Sequence, residues 1–225
     1  MKSVVIFSGG MDSATALYRE CEDRWTADGA SGVLALSFDY GQRHRKELEF
    51  ASALCKSIGI EHAVVDLRSL ASLLPGNALT GDVPVPHGHY AAPTMIKTVV
   101  PNRNAIMLSV AFAVAAANGA TRVVTGVHAG DHAIYPDCRP EFVETFALME
   151  SLSLSGVAMV ELVTPFVRVT KTDIVREGHR LGVPWASTWS CYEGGELHCG
   201  QCGTCVERRE AFRDAGVVDP TEYAV

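Results

Sequence analysis

The chain has 225 residues, a formal net charge of −7 and a hydrophobic content of 48%. This length and composition predict one domain, or one domain with a small appendage, with enough apolar residues for a full core. The acidic balance and the lack of any Lys or Arg run argue against a protein that grips nucleic acid through its phosphates, so we expect a small-molecule substrate.

The apolar segments are too short for a membrane protein, because none approaches the roughly 18 residues needed to cross a bilayer. Met1-Lys2 leads directly into an apolar run, which leaves no room for a signal peptide. We therefore predict a cytoplasmic protein with no membrane partner. Disulfides are rare in the cytoplasm, so the seven cysteines require another explanation.

The first predicted strand, Ser3–Phe7, stops at the hexapeptide SGGMDS of residues 8–13, where a helical pattern begins at once. Two adjacent glycines permit a tight turn, and the hydroxyls of Ser8 and Ser13 and the free N–H groups of the new helix then converge on one small pocket. Such a helix N-terminus favours an anion, so the predicted occupant is a nucleotide phosphate. The alternative is a plain strand-to-helix turn with Asp12 or Ser13 as N-cap.

Four more β-rich runs follow, and helical patterns alternate with them along the chain. The predicted strands are Val33–Asp39, His62–Asp66, Arg122–Gly126 and Val157–Val163. The predicted helices are Asp12–Arg24, Arg43–Ile58, Asn102–Asn118, Glu141–Leu154 and Lys171–Leu181, the last with Thr170 as its N-cap. This alternation predicts a Rossmann-like α/β fold, an open parallel five-stranded sheet with helices on both faces and ligands at the carboxyl ends of the strands.

One long segment, Leu74–Val100, breaks this regularity, because its prolines, glycines and two histidines follow no period. Loops of this length are usually functional or disordered. We predict a lid or substrate loop at residues 74–100, and the alternative is a surface excursion without a role.

Four of the seven cysteines cluster near the end of the chain with metal-ligand spacing. They are Cys191, Cys199, Cys202 and Cys205, in the pattern C-x₇-C-x₂-C-x₂-C. Four thiolates in this spacing suit tetrahedral Zn²⁺, and a closed site of four sulfurs predicts a structural ion. The alternatives are an iron–sulfur cluster, redox disulfides and His198 in place of one cysteine. Cys21 and Cys55 lie in helical patterns and are predicted to be buried, inert thiols.

The hexapeptide SGGMDS resembles the pyrophosphate loop (PP-loop) of the N-type ATP pyrophosphatases, which split ATP between its α- and β-phosphates. Together with the cysteine tail, it is similar to the QueC family of the queuosine precursor pathway. Segments 38–44 (FDYGQRH), 100–104 (VPNRN), 135–139 (YPDCR) and 188–191 (TWSC) extend the resemblance over essentially the whole chain. The chain departs from the best-known members at Asn102, where they carry glycine, and in residues 128–134, which bears on the substrate contacts more than on the reaction.

The resemblance implies an adenine nucleotide alpha hydrolase-like fold with a PP-loop domain at residues 1–184 and a zinc-binding region with a terminal helix at 185–225. It implies conversion of 7-carboxy-7-deazaguanine and ammonia to 7-cyano-7-deazaguanine through adenylated carboxylate and amide intermediates. The implied cofactors are ATP, Mg²⁺ and structural Zn²⁺, and related enzymes form homodimers. A glutaminase domain does not fit beside the core, so we predict free ammonia as the nitrogen source.

The resemblance also implies roles for individual residues. The implied ATP-binding residues are Ser8, Gly9, Gly10, Met11, Asp12, Ser13, Asp39 and Arg103. The implied catalytic residues are Asp12, a Mg²⁺ ligand, and Lys171, a phosphate-binding lysine; the implied substrate-binding residues are Asp131, Tyr135, Asp137 and Arg139. The open alternatives are N-capping for Asp39, a solvated helix start for Lys171, the substrate carboxylate as partner of Arg103, and pairing of Arg139 with Asp137. Either Asp131 or Asp137 would accept the N–H edge of a guanine-like base. His128 and His132 are expected to form hydrogen bonds, and the open alternative is an acid–base role near neutral pH.

Three rival functions remain from the sequence. A tRNA-modifying PP-loop sulfurtransferase also joins this loop to cysteines, although it needs a basic surface and a reactive cysteine or cluster. A relative of the family that stops at 7-amido-7-deazaguanine would differ only in its product. A nucleotide-binding sensor would bind ATP without releasing pyrophosphate on any carboxylate.

Overall fold

The computed structural model describes residues 1–22, 25–26, 29–30 and 32–225. Its strands are β1 (Ser3–Ile6), β2 (Trp25–Thr26), β3 (Gly29–Ala30), β4 (Val33–Asp39), β5 (Glu61–Asp66), β6 (Arg122–Val124) and β7 (Glu161–Val163). Its α-helices are α1 (Met11–Cys21), α2 (Lys46–Ser57), α3 (Arg68–Ala71), α4 (Arg103–Ala117), α5 (Pro140–Ser153), α6 (Lys171–Arg180) and α7 (Gly203–Ala215). Five strands form one parallel sheet in the order β5-β4-β1-β6-β7, and β2 pairs with β3 as a separate antiparallel ribbon.

The sheet is buried on both faces, which explains the nearly continuous apolar runs of its central strands. Successive side chains of β1 point to opposite faces, so that Val5 packs in one apolar cluster and Val4 in the other. The first cluster contains side chains of α1, α2, α6 and α7, and the second contains side chains of α4 and α5. The predicted α/β class, with helices on both faces of a five-stranded parallel sheet, is confirmed.

The predicted strands and helices are all present, with differences at their ends. The last strand begins at Glu161 rather than Val157, because β6 offers only three residues for pairing and the preceding Val157 and Met159 are 78% and 91% exposed. Thr170 caps α6 as predicted, in a capping box with Asp173. The predicted end of the first helix, Arg24, lies outside the described residues.

The strand order places the candidate site. From β1 the chain first builds outward through β4 and β5, and then returns to the other side of β1 to form β6 and β7. The order therefore reverses between β1 and β6, which is where ligands bind in open parallel sheets. Residues 8–13 after β1, 40–45 after β4 and 125–131 after β6 all leave the sheet at this edge.

The C-terminal region is fastened to the sheet domain through a buried arginine. Arg208 on α7 is fully buried, and its guanidinium donates to the Trp185 carbonyl at 3.1 Å and to Thr188 Oγ1 at 2.8 Å. It also pairs with Asp219 at 3.2 Å, so that the chain end is held by the same side chain. These contacts fix the position of α7, which packs against α6.

Segment 74–100 packs beside the C-terminal region. It contains a 3₁₀ helix at Pro93–Thr98, and the Gly88 amide donates to the Gln201 carbonyl at 2.9 Å. Its motion as a lid, and the division of the chain at residue 184, stay predictions. In the part of the chain that the structure describes, no helix has both the length and the apolar character needed to span a bilayer.

Candidate functional site

The loop after β1 presents an open helix N-terminus. Gly10 is the N-cap of α1, and no side chain caps this helix end, so the alternative in which Asp12 or Ser13 is the N-cap is wrong. The first-turn amides of α1 therefore keep no partner within the helix. Ser8 Oγ and Ser13 Oγ lie 3.1 Å apart, and Ser8 Oγ accepts from the Gly10 amide at 3.2 Å. This arrangement of amides and hydroxyls suits a phosphate group.

Gly9 allows α2 and the C-terminal region to approach this loop closely. Its φ of +84° lies in the left-handed region, and a Cβ there would stand 2.5 Å from the Glu47 carbonyl oxygen. On its other side, the Gly9 carbonyl accepts from the Trp189 amide at 2.9 Å. The loop is thus held from both sides in one conformation.

Lys171, the first residue of α6, joins this loop to the C-terminal region. Its Nζ donates to Asp12 Oδ2 at 2.6 Å and lies 3.1 Å from Glu207 Oε2 on α7. Burial alone would lower the pKa of Lys171, but the negative charges of Asp12, Glu207 and Asp131 raise it overall. Lys171 is therefore a fixed cation beside the helix N-terminus, and it is not the solvated lysine of the alternative interpretation.

His128 and Asp131 lie beside Lys171 in the cavity. The Gly130 amide donates to His128 Nδ1 at 3.1 Å, and His128 Nε2 lies 3.1 Å from Lys171 Nζ. Asp131 Oδ2 lies 3.5 Å from the same Nε2. Both side chains line the cavity, and His128 is engaged in the hydrogen bonding that the sequence predicts.

A cavity of about 210 Å³ extends from the loop to an aromatic end. Arg103, the first residue of α4, lines this end, and its Nη1 lies 3.4 Å from Tyr40 Oη. Tyr135 and Tyr192 also face the cavity, and Tyr135 Oη is fixed by Thr98 Oγ1 at 2.6 Å. Within the part of the chain that the structure describes, Arg103 has no carboxylate within 4.0 Å, so it is a cation available to an anionic ligand.

Glu47 and His44 lie together at the wall of this cavity. Gln42 Nε2 donates to Glu47 Oε1 at 2.9 Å, and Glu47 Oε2 lies 3.6 Å from His44 Nε2. Burial raises the pKa of Glu47 to about 7 and lowers the pKa of His44 to about 3. Glu47 therefore exchanges its proton near neutral pH, whereas His44 stays neutral.

Besides Gly9, three of the predicted ATP- and substrate-binding residues do not line the cavity. Asp39 accepts from the Gly41 amide at 3.1 Å and pairs with Arg45 at 2.7 Å, on the far side of its strand end. Asp137 Oδ2 accepts from the amide of Asn104 in the first turn of α4 at 3.0 Å. Arg139 donates to the His132 carbonyl at 2.9 Å and forms no pair with Asp137. The other predicted ATP and substrate residues line the cavity, except that Gly9 lies behind its surface.

The cavity residues that were not predicted as site residues include four with ionisable side chains that bear on the chemistry: Tyr40, Glu47, Tyr192 and Glu207. Tyr40 lies in the segment FDYGQRH at the end of β4, and Glu47 follows it closely. Ligands bind at this edge of a parallel sheet, so the position of these two residues in the sequence could have identified them as site residues. Tyr192 follows the first cysteine. Glu207 had no local signal, because it reaches the cavity only through the packing of α7 on α6.

The four predicted cysteine ligands converge on one point. The sulfur atoms of Cys191, Cys199, Cys202 and Cys205 all lie within 4.8 Å of one another. Ligands about 2.3 Å from one tetrahedral zinc ion stand roughly 3.8 Å apart, and Cys199 Sγ and Cys205 Sγ are separated by 3.9 Å. A multi-iron cluster would spread its thiolates further, because each binds a different iron atom. These cysteines could hold one metal ion.

His198 stands outside this group of four sulfurs. Its Nε2 accepts from the Ser190 amide at 3.0 Å and its ring packs on Trp189, so it supports the chain around the site rather than replacing a cysteine. All seven cysteines are free of disulfides, and Cys21 and Cys55 are buried as predicted.

The chain is similar over nearly its whole length to known proteins of one family. The profile of the family described as "Queuosine biosynthesis protein QueC" matches residues 2–216. A Rhizobium meliloti (strain 1021) protein named 7-cyano-7-deazaguanine synthase is 56% identical over 99% of this chain and 92% of its own length. A protein of the same name from Ruegeria pomeroyi is 55% identical over 100% of this chain and 95% of its own length. Among solved structures, NMN synthetase from Francisella tularensis aligns with 96% of this chain and 73% of its own, at 17% identity and a TM-score of 0.48. The chain belongs to the QueC family of queuosine biosynthesis proteins.

Proposed function

We propose that this chain is a 7-cyano-7-deazaguanine synthase, which converts 7-carboxy-7-deazaguanine and ammonia to 7-cyano-7-deazaguanine with ATP in queuosine biosynthesis. The observation that carries the proposal is the open N-terminus of α1, with Lys171 and Asp12 beside it, at one end of a cavity in a QueC-family chain. A helix N-terminus and a fixed cation suit the triphosphate.

The first step activates a poor electrophile. A carboxylate would have to expel oxide, so its oxygen instead attacks the α-phosphorus of ATP, and the bond to the β-phosphate breaks. Negative charge then develops on the departing pyrophosphate. The amides of α1, the hydroxyls of Ser8 and Ser13 and the ammonium group of Lys171 stabilise that charge, and because they are positioned in advance they need no reorganisation.

The second and third steps use the same cavity. The nitrogen lone pair of ammonia attacks the acyl carbon, a C–N bond forms, and AMP leaves with the electron pair of the broken C–O bond. The amide oxygen then attacks the α-phosphorus of a second ATP, and pyrophosphate leaves as its bond to that phosphorus breaks. Loss of AMP with the C–O electron pair, and of two N–H protons, leaves the nitrile. Glu47, whose pKa burial raises to about 7, is a candidate proton acceptor for these steps.

Substrate recognition is assigned to the aromatic end of the cavity. Arg103 would bind the substrate carboxylate or a phosphate, because no carboxylate of the described residues lies within 4.0 Å of it. Asp131 would accept the N–H edge of the deazaguanine, with Tyr135 beside it. Asp137 and Arg139 would support these residues from behind, through Asn104 and His132 respectively. Asp39 remains a proposed adenosine contact at the end of β4.

Mg²⁺ is the proposed partner of the triphosphate, and Asp12 is its proposed ligand. Asp12 Oδ1 is buried and has no hydrogen-bond partner among the described residues, whereas Oδ2 is taken by Lys171. An orphaned carboxylate oxygen fits a hard divalent cation. The ion would neutralise charge on the phosphates.

Structural Zn²⁺ is the proposed occupant of the four-cysteine group. Four sulfurs leave no open position for a catalytic water, and the spacing of the sulfur atoms fits a single ion. The rival tRNA-modifying sulfurtransferase would need an iron–sulfur cluster or a reactive thiol. Zinc in the purified protein supports the synthase, and iron would favour the sulfurtransferase.

We further propose a cytoplasmic enzyme that does not bind nucleic acid directly. The net charge of −7 supports the absence of direct nucleic-acid binding. The seven cysteines without a disulfide support the cytoplasmic location. Free ammonia, rather than glutamine, is the proposed nitrogen source, and activity with glutamine alone would contradict this.

A homodimer is the proposed assembly. Five large apolar side chains on α5 and in the turn after it are exposed to solvent, and burial against a second copy would remove them from water. They are Leu148, Met149, Leu152, Val157 and Met159. Sedimentation equilibrium should give twice the chain mass, and Leu152→Glu should give a monomer. A monomeric wild-type protein at micromolar concentration would contradict the assignment.

The proposed function is tested by incubating the protein with ATP, Mg²⁺, ammonium and 7-carboxy-7-deazaguanine, and measuring the mass of the base. The nitrile is expected. A reaction that ends at the amide selects the amide-forming relative, and an unchanged base with bound ATP selects the nucleotide sensor.

A further inference from the structure

We propose that a small apolar cavity behind Tyr40 and Arg103 is the entry site for ammonia, the second substrate of the reaction. The inference rests on the proposed function, because only that reaction requires ammonia. The cavity is separate from the ATP and deazaguanine cavity described above, and it measures about 20 Å³.

The size and lining of this cavity match one small neutral molecule. A volume of this order holds about one water-sized molecule. Apart from Tyr40, Thr80 and Arg103, every residue that lines it is aliphatic or methionine. Water needs two to four polar partners in a buried site, so water gains little here. Ammonia is of the same size and loses less on leaving bulk solvent.

Its position joins the protein surface to the reaction cavity. Tyr40, Arg103 and Met107 line both cavities, so these three side chains form a common wall. The contact between Arg103 Nη1 and Tyr40 Oη is long, at 3.4 Å. Leu70 and Leu74, both only partly buried, also line the small cavity. Entry between these leucines would bring a molecule to the wall that the two cavities share.

The positive charge of Arg103, on the wall shared with the reaction cavity, favours neutral ammonia over ammonium in the small cavity. Arg103 is a cation without a carboxylate within 4.0 Å among the described residues, and it repels ammonium. The aliphatic lining also disfavours a charged species. Ammonium therefore leaves its proton in solvent, and ammonia reaches the acyl adenylate with the lone pair that attacks the acyl carbon free.

Cavity-filling variants test this assignment. Leu70→Phe and Ile106→Phe fill the cavity from α3 and from α4, and Leu73→Phe is the matched control, because Leu73 is 73% exposed and does not line it. We expect both filling variants to raise the KM for ammonium roughly tenfold with an unchanged KM for ATP, since they act on ammonia binding alone. Folded filling variants with the wild-type KM for ammonium would overturn the proposal.

Three further measurements keep the test decisive. Crystals under xenon pressure should show xenon in the wild-type cavity and none in Leu70→Phe; a cavity that binds no xenon in the wild type counts against the site. Potassium ion, which resembles ammonium in charge and size, should not compete with ammonia, and competition would overturn the assignment to the neutral form.

Exchange of label between pyrophosphate and ATP with 7-carboxy-7-deazaguanine, without ammonia, should be equal in all variants. Its absence from the wild type would contradict the proposed function rather than the ammonia site.

Discussion

Lys171 Nζ lies 3.1 Å from Glu207 Oε2, so a carboxylate from the C-terminal helix holds the cation of the PP-loop site. Glu207 lies two residues beyond Cys205, and its neighbour Arg208 is buried against segment 185–190. The same helix therefore carries a proposed metal ligand, a structural anchor and a positioning residue for Lys171. The cysteine region is thus joined directly to the proposed catalytic site through α7.

Glu207→Gln should lower the rate of pyrophosphate release about 10²-fold, because a displaced lysine no longer meets the developing charge. KM for ATP should change less than kcat, since the amides of α1 remain. Glu210→Gln, one turn further along α7, is the control and should behave as wild type. A Glu207→Gln enzyme with the wild-type kcat would show that Asp12 alone positions Lys171.

Lys171→Met should abolish pyrophosphate release and destabilise the fold by about 3 to 5 kcal/mol, because it leaves Asp12 and Glu207 as unpaired, largely buried charges. Adding Glu207→Gln to this variant should recover part of the free energy of unfolding without restoring activity. Urea unfolding of the two single variants and the double variant gives the coupling. Additive losses would mean that the two side chains do not interact.

Loss of a proposed zinc ligand should reduce metal binding, whereas loss of a cysteine outside the four-cysteine group should not. Cys202→Ser should lower the zinc content and the Tm together and slow pyrophosphate release, because α7 begins at this site. Cys55→Ala should keep its zinc; burial raises the pKa of the Cys55 thiol to about 12, so it is an inert core group. Metal analysis and thermal unfolding are the measurements, and a Cys202→Ser protein with full zinc and Tm would contradict a structural metal.

The stability of the protein should depend on pH through Glu47. Its pKa rises on folding from 4.5 to about 7, chiefly by burial. The folded state therefore keeps a proton that the unfolded state loses, so this contribution to stability is present below pH 4.5 and is lost as pH rises through 7.

The free energy of unfolding of the wild type, relative to Glu47→Gln, should fall by roughly 3 kcal/mol between pH 4.5 and pH 8. The opposite shift of His44 is present in both proteins and cancels in the comparison. Denaturant unfolding across this range is the measurement. A constant difference between the two proteins would mean that Glu47 is ionised at the same pH in both states.

Much of the fold could be predicted because local patterns and tertiary structure agree. The β-branched run of β1 and the glycines that follow it predict a strand, a turn and a helix start, and the structure has all three. The sequence predicts a strand from Val157, but the structure has a turn before β7, because residues before Glu161 find no pairing partner on β6 and Val157 and Met159 stay exposed.

The candidate site could be predicted only where its residues lie next to a recognisable local feature. Ser8, Asp12 and Lys171 stand at helix starts, and the four cysteines carry their own spacing. Glu207 and Glu47 depend on how helices pack, which no local pattern encodes. Asp137 lies in a suggestive motif, but its carboxylate accepts from the first turn of α4 instead; a motif does not give the direction of a side chain.

The central claim is that the substrate oxygen is joined to the α-phosphorus of ATP at the PP-loop. Its most direct test is the reaction of 7-carboxy-7-deazaguanine labelled with ¹⁸O in both carboxylate oxygens. Each nitrile should be accompanied by two AMP molecules, each with one ¹⁸O, and by unlabelled pyrophosphate. Label in water or inorganic phosphate, with unlabelled AMP, would contradict the account.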